Sequence, residues 1–159
     1  MFKSFLEKWS KEVNRNDSKN SSGGNKLRLY QNIKADFISE PYLELHIGFS
    51  ARSAFAKLRC GVAPINIEIG RYQNVPVSQR FCPFCDNCIE DEVHILTDCD
   101  LYMDIREELY SVISKRDICF DQLSNKDKAL YILSGLTCVK ECANTCKKIL
   151  KRRMLLITK

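Results

Sequence analysis

The sequence of 159 residues lacks the motifs that mark many enzymes and membrane proteins. It has no Gly-rich phosphate loop, no paired-aspartate polymerase motif and no nucleophile elbow. No apolar run approaches the length of a bilayer span, and Lys3, Glu7 and Lys8 interrupt the N-terminal apolar stretch, unlike a secretory signal. We therefore expect an intracellular protein, nuclear or cytoplasmic, with no membrane contact and no catalysis of its own.

Histidine is scarce, with two residues, whereas cysteine is abundant, with nine. An odd number of cysteines cannot pair completely, and without a secretory signal they indicate metal ligands and buried thiols in a reducing compartment. Cys82, Cys85, His94 and Cys99 follow the spacing Cys-x2-Cys-x8-His-x4-Cys. Zinc takes four such ligands in a tetrahedron, which leaves no open position for water. The sequence therefore predicts one structural zinc ion, on which local folding should depend.

Four further cysteines leave alternatives open. Cys88 could form the two-cysteine turn together with Cys85, although Pro83 and Phe84 favour a tight turn between Cys82 and Cys85. Three more recur every four residues near the C-terminus, which suggests a second metal site. One straight helix cannot wrap three ligands around an ion over about 12 Å of axial rise, so small buried thiols are favoured. These three are Cys138, Cys142 and Cys146.

Five short runs carry a resemblance to a known family. They are KLRCG at residues 57–61, IEIGRY at 67–72, RFCPFC at 80–85, EDEVHIL at 90–96 and CDLY at 99–102. Together they resemble the C-terminal region of reverse-transcriptase polyproteins from non-LTR (LINE-like) retrotransposons, beyond the polymerase. The resemblance covers about residues 26–155 and is specific between residues 57 and 102. It implies a Cys-Cys-His-Cys zinc knuckle and nucleic-acid binding without catalysis, in a tail detached from its polymerase.

The net charge of +5 is unevenly distributed. Residues 82–110 carry one basic residue against nine acidic ones, while residues 111–159 carry eleven against four. Because phosphate binding depends on lysine and arginine, we expect RNA or DNA to lie on the flanks of the knuckle. The candidate phosphate contacts are Arg52, Lys57, Arg59 and Arg71, and then Lys147, Lys148, Lys151, Arg152 and Arg153.

Each basic group also has a structural alternative. Those of the first group could pair with the acidic knuckle, and those of the second could complement the dipole at a helix C-terminus. The acidic residues between 86 and 108 are scattered at helical spacing, which favours a solvated face. A protein partner could instead bind the Trp9 helix or this acidic face, and a transposon fragment without a selected role is a third hypothesis.

Apolar periodicity predicts a mainly α fold: a small helical domain built around the zinc knuckle. Residues 1–13 form an amphipathic helix, 14–25 a flexible linker of Ser, Asn and Gly, and 26–159 the zinc-knuckle domain, with its metal segment at 80–100. Within the domain we expect a helix from Leu27 towards Pro41 and another at 51–60, capped by Ser50 and stopped by Gly61. Further along the chain come an extended arm at 64–79, a helix at 93–97, a helix from Leu101 and helical residues at 126–157 broken at Gly135.

Overall fold

The computed structural model describes residues 2–13, 27–34 and 36–158, and in these ranges the chain is mostly helical. Its extended pairing there consists of one isolated antiparallel bridge, between Phe81 and Ile89. The predicted mainly α class is confirmed. The α-helices are α1 (Phe2–Val13), α2 (Tyr30–Ile33), α3 (Phe49–Arg59), α4 (Asn66–Tyr72), α5 (Met103–Ser114), α6 (Asn125–Ser134) and α7 (Val139–Ile157).

The N-terminal segment contains the predicted first helix, α1, whose Trp9 ring packs edge-on against Phe37 with 5.5 Å between ring centroids. The predicted linker at 14–25 lies outside the described residues. The second helix is shorter than predicted, because the chain leaves helical geometry at Lys34 (φ −113°, ψ 103°). Glu40 then accepts a hydrogen bond from the Tyr30 hydroxyl, so the chain folds back on itself here instead of continuing as a helix.

Helix α3 lies close to the range expected from its apolar stripe. It begins after Gly48 rather than after Ser50, and Gly61 follows it with a φ of 64°, the left-handed conformation that stops a helix. The inward-facing residues Ala51, Phe55 and Leu58 are buried, as their spacing predicts. Helices α3 and α7 form the most extensive helix–helix contact of the described chain.

The prediction of an extended arm at residues 64–79 is wrong, because residues 66–72 form the helix α4. The alternating isoleucines suggested an extended, irregular segment, but short apolar runs do not distinguish helical from extended backbone by periodicity alone. A distant residue stabilises the first turn: the Asn66 amide donates to Glu90 Oε2 at 2.6 Å. Gly70 is required here because a Cβ at this position would lie 2.7 Å from the Arg80 side chain.

The C-terminal half consists of α5, α6 and α7. Gly135, with a φ of 73°, separates α6 from α7, which confirms the predicted break. A Cβ at position 135 would lie 3.3 Å from the Arg59 guanidinium and 3.7 Å from the ring of Phe55. The core joins side chains from every helix of this half to those of α3, and its fully buried members include Phe55, Leu58, Ile65, Ile95, Leu96, Tyr102, Ile113, Phe120, Ile132, Leu133, Cys146 and Ile149.

Candidate metal centre

The first two candidate ligands lie in a short looped segment that closes on itself. The Cys82 amide donates to the Cys88 carbonyl at 2.7 Å, and the Glu90 amide donates to the Arg80 carbonyl at 2.9 Å. Asn87 reverses the chain between them with a φ of 55°, a conformation that asparagine tolerates better than most residues. The loop therefore presents Cys82 and Cys85 from one compact turn.

The other two candidate ligands lie at the ends of a π-helical turn, His94–Asp98. The Cys99 amide donates to the His94 carbonyl at 2.9 Å, which is the five-residue spacing of a π-turn. Asp91 Oδ1 accepts from the His94 amide at 2.8 Å and so caps the turn at its start. The prediction of a helical turn that carries His94, with Cys99 just beyond it, is confirmed, although the turn is wider than an α-helix.

Cys82, Cys85, His94 and Cys99 converge, and their ligand atoms lie within 4.8 Å of one another. The Sγ atoms of Cys82 and Cys99 are 3.9 Å apart, and those of Cys85 and Cys99 are 3.5 Å apart. Three thiolates on one tetrahedral zinc at about 2.3 Å would be separated by about 3.8 Å. His94 Nε2 is buried without a hydrogen-bond partner. The spacing of the sulfurs and this orphaned nitrogen both fit a metal ion.

Binding of a metal ion to the cluster would be coupled to the loss of thiol protons. Burial raises the pKa of the Cys82 thiol, and burial together with the hydrogen bond to Cys85 raises the pKa of the Cys99 thiol. Without a metal these thiols stay protonated at neutral pH. A bound dication would displace the protons, and its affinity would therefore fall as the pH falls.

Cys88 is exposed and lies outside the cluster. The turn that joins the ligands therefore uses Cys82 and Cys85, not Cys85 and Cys88. Cys88 contributes to the loop through its backbone carbonyl, which accepts a hydrogen bond from the Cys82 amide. Cys88 provides a matched cysteine for experiments on the cluster.

Most acidic residues between 86 and 108 are exposed, as the predicted solvated face requires, but two beside the cluster are buried. Glu90 is 0% exposed and accepts from Arg153 through both oxygens, at 2.6 Å each. Glu92 is 1% exposed and lies 2.5 Å from Arg28 Nη2 through each of its oxygens. Burial raises the pKa of the Glu92 carboxyl, an effect that the Arg28 guanidinium opposes. These pairs attach the metal segment to the N-terminal part of the chain and to α7.

Sequence reasoning missed Arg28 and Arg106 as supports of the metal segment. Arg106, on α5, is buried and donates to the carbonyl of Cys99. Such contacts orient the backbone that carries a ligand. The excess of acid in the metal segment is a signal for Arg28 only, and it does not indicate which distant arginine is the partner. Arg106 contacts a backbone carbonyl, for which charge in the sequence gives no signal.

Two of the nine predicted phosphate contacts are corrected by burial. Arg59 is 1% exposed, donates to the Leu133 carbonyl and pairs with Glu40 at 2.7 Å. Arg153 is 5% exposed and is occupied by Glu90. Neither guanidinium can reach a phosphate without breaking a buried ion pair, so both are structural residues.

Three further members of that set have a nearby carboxylate, which is exposed for Arg152 and Lys148 and buried for Arg71. Arg71 Nε lies 3.2 Å from Glu68 Oε2. Arg152 forms a bidentate ion pair with Asp104, and Lys148 forms an ion pair with Glu108. The exposed pairs of Arg152 and Lys148 contribute little to stability, whereas Arg71 lies beside the buried Glu68. All three remain predictions as phosphate contacts.

The remaining four are Arg52, Lys57, Lys147 and Lys151. Arg52 reaches the Leu43 carbonyl at 3.5 Å. The three lysines are exposed and line one groove of about 480 Å³ between α3 and α7, which we call the lysine groove. The groove therefore brings together four of the nine predicted cations, of which the three lysines are exposed and Arg153 is buried.

The C-terminal cysteines are buried, as predicted, and do not converge. Within the described residues, the one group of side chains placed to hold a metal is the cluster at Cys82. Burial raises the pKa of Cys142 to about 12 and that of Cys146 well above its usual value. These thiols project from α7 into the hydrophobic core of the domain, where they pack as small apolar groups.

No helix of the described chain combines the length and apolar character that a membrane crossing requires. Comparisons with protein-family models, with curated proteins and with solved structures each return no match. The similarity to retrotransposon reverse-transcriptase tails therefore rests on the motif residues alone and stays a prediction.

Proposed function

We propose that this protein is a zinc-stabilised helical module that binds nucleic acid and that derives from the tail of a retrotransposon reverse transcriptase. Cys82, Cys85, His94 and Cys99 would hold one structural zinc ion. The observation that carries this proposal is the convergence of the four ligand atoms within 4.8 Å. It is supported by the orphaned imidazole nitrogen, which has no other partner in the described structure.

The zinc would act structurally rather than catalytically. Four protein ligands fill a tetrahedral site, so no position is left for a reactive water. Zinc would also consume the imidazole of His94, which lies beside the thiols and would otherwise be a candidate base. Its role would be to join the loop of Cys82 and Cys85 to the π-turn, which in turn holds Glu90 and Glu92 against their arginine partners.

Nucleic acid would bind at the lysine groove. Its three lysines come from two packed helices, so they form a fixed cationic surface rather than a mobile tail. Among the described residues, the lining of the groove includes no aspartate or glutamate, although Lys151 also borders the neighbouring groove that contains Asp104 and Glu108. The metal segment, with its excess of acid, would face away from phosphate.

Metal content tests the zinc proposal most directly. Native mass spectrometry of the full chain should find one zinc ion, and Cys99→Ser should lose it. Cys88→Ser is the matched control and should retain it, because Cys88 lies outside the cluster. A folded wild-type protein without metal, or equal zinc loss in both variants, would contradict the proposal.

A mobility-shift assay at two salt concentrations tests nucleic-acid binding separately. The double variant Lys147→Glu with Lys151→Glu should weaken binding to RNA and DNA about tenfold or more and reduce the salt dependence. The charge-matched control is Lys115→Glu with Lys126→Glu, which changes two exposed lysines outside the groove. Equal effects of the two double variants would show that the lysine groove is not the binding surface.

A further inference from the structure

The lysine groove combines cationic and apolar surface in an arrangement that restricts its ligand. Its walls are apolar, contributed by Phe49, Pro64, Leu150, Met154 and Ile157. The three lysines line the same groove. Arg153, the only arginine of the lining, is neutralised by Glu90. A ligand that complements the groove must therefore offer both negative charge and apolar surface.

A second groove, between α5 and α7, shows that this combination is not a general property of the surface. It is larger, at about 770 Å³, and also contains apolar residues. Its Lys148 and Arg152, however, are paired with Glu108 and Asp104 across the groove. An anion would have to displace these carboxylates, so charge complementarity selects the lysine groove.

Phe49 is the most informative residue of the lysine groove. It is the first residue of α3 and is 80% exposed, although phenylalanine is usually buried. Met154 and Ile157, at the end of α7, are also exposed. An aromatic ring held at the start of a rigid helix offers a flat face on which a nucleic-acid base can stack.

We propose, on the basis of the proposed function, that the lysine groove binds single-stranded nucleic acid with an unpaired base on Phe49. Lys57, Lys147 and Lys151 contact the phosphates, while Met154 borders the stacked base. A duplex presents its phosphates but keeps its bases paired and stacked inside, so it would leave the apolar surface of the groove uncovered. A single strand supplies both kinds of surface at once.

Fluorescence anisotropy of the zinc-loaded full chain tests this inference. The probes are a labelled oligothymidylate of about 12 nucleotides, within the usual range of site sizes, and a duplex of the same length. We expect the single strand to bind about fivefold or more tightly than the duplex, because one stacked base contributes about that factor or more. Contact with three phosphates predicts that the logarithm of the single-strand affinity falls with the logarithm of salt concentration with a slope of about −2.

The variant Phe49→Ala isolates the stacking contribution. It should weaken binding of the single strand about fivefold or more and leave binding of the duplex unchanged. Tyr72→Ala is the control, because Tyr72 is an exposed aromatic residue outside the groove. Circular dichroism of both variants verifies that the helices are retained.

Each outcome distinguishes the inference from the proposed function. Equal affinity for single strand and duplex, or no effect of Phe49→Ala, overturns the inference and leaves nucleic-acid binding standing. Binding of neither probe overturns both. An acidic amphipathic helical peptide that binds with a dependence on Phe49, while the oligonucleotide does not, overturns the inference in favour of a protein partner.

Discussion

The chain contains two cysteine-rich regions that differ in how the fold uses them. In the metal segment, Cys82, Cys85 and Cys99 come from a loop and a π-turn, and their sulfurs meet beside His94. In α7, Cys142 and Cys146 point from one helix into the core. Each set contains two buried thiols with raised pKa values, Cys82 and Cys99 in the first and Cys142 and Cys146 in the second. Burial of cysteine therefore does not distinguish a candidate metal site from a packed core, whereas convergence from two different elements does.

The basic residues show the same distinction between composition and placement. The segment 147–153 is rich in basic residues, with only Ile149 and Leu150 between them, but the helix distributes its charges over several faces. Arg153 points inward to Glu90, whereas Lys147 and Lys151 remain exposed at the lysine groove. A dense run of charge thus supplies a buried ion pair and a surface patch at the same time.

Of all the perturbations considered, metal removal should produce the largest difference in stability between the two cysteine-rich regions. Zinc ligation in small modules supplies about 10–16 kcal/mol of apparent binding free energy, which is as large as the stability of a typical domain. After chelation we expect the amides of the metal segment, including those of Cys82 and Cys99, to lose hydrogen-exchange protection. Amides of α7 around Cys142 and Cys146 should stay protected because α7 packs on α3.

The same measurement can contradict this distinction in two ways. If chelation leaves exchange of residues 80–100 unchanged, the cluster does not hold a structural metal. If α7 loses protection to the same extent, the metal stabilises the whole domain rather than one segment. Cys146→Ser provides a reference in which α7 is perturbed directly and metal content should not change.

The Glu90–Arg153 pair connects the two regions, and breaking it should have the second largest effect. Glu90→Ala leaves a buried guanidinium without its partner, which should lower the free energy of unfolding by about 3–5 kcal/mol. Denaturant unfolding of the zinc-loaded chain measures this change. Glu108→Ala, at the exposed pair with Lys148, should cost no more than about 1 kcal/mol.

A double variant tests the physical reason. Glu90→Leu combined with Arg153→Met removes both buried charges, and it should recover most of the stability that Glu90→Ala loses. Failure to recover it would mean that the hydrogen bond from Asn66 to Glu90, rather than the ion pair, is what the fold requires. That result would assign the effect to α4 instead of to α7.

The two cysteine regions also differ in how much of them the sequence predicts. The ligand set follows from spacing, because a two-cysteine turn and a helical turn are local structures whose geometry is fixed by the residues within them. The stripe of α7 is predicted for the same reason, since helical periodicity places Cys142 and Cys146 on one face. The break at Gly135 is equally local, because few other residues tolerate its conformation.

The features that the sequence did not predict depend on distant partners. Residues 66–72 became helical, not extended, partly because Glu90 satisfies the first amide of α4. The burial of Arg59 depends on Glu40 and on the carbonyl of Leu133. Nothing local to an arginine distinguishes a phosphate contact from half of a buried ion pair, so charge patterns alone overestimated the binding surface.

Alkaline pH should lower the stability of the fold through the buried thiol of Cys142 on α7. Burial raises the pKa of Cys142 from 9.0 to about 12, so the folded state favours the protonated thiol. This contribution to stability is complete below pH 9 and is lost as the pH rises towards 12. Between pH 9 and about 10.5 the wild type should lose about 2 kcal/mol relative to Cys142→Ala, measured by denaturant unfolding at each pH.

A parallel pH dependence of wild type and Cys142→Ala would contradict this expectation. It would mean that the thiol is ionised as readily in the folded chain as in the unfolded one. Cys119→Ala is the appropriate control, because Cys119 is exposed and should not change the pH dependence.

The smallest perturbation is chemical labelling, which measures the accessibility of the thiols in the two regions without a substitution that changes stability. In the zinc-loaded chain the exposed thiols of Cys88 and Cys119 should react fastest with a thiol reagent at mildly alkaline pH. Chelation should then add three labels, from Cys82, Cys85 and Cys99, because only these thiols would be released by loss of metal. Cys142 and Cys146 should stay unlabelled because burial, not metal, protects them. Intact-mass spectrometry counts the labels, and a gain in α7 after chelation would show that its thiols are protected by the metal segment rather than by their own packing.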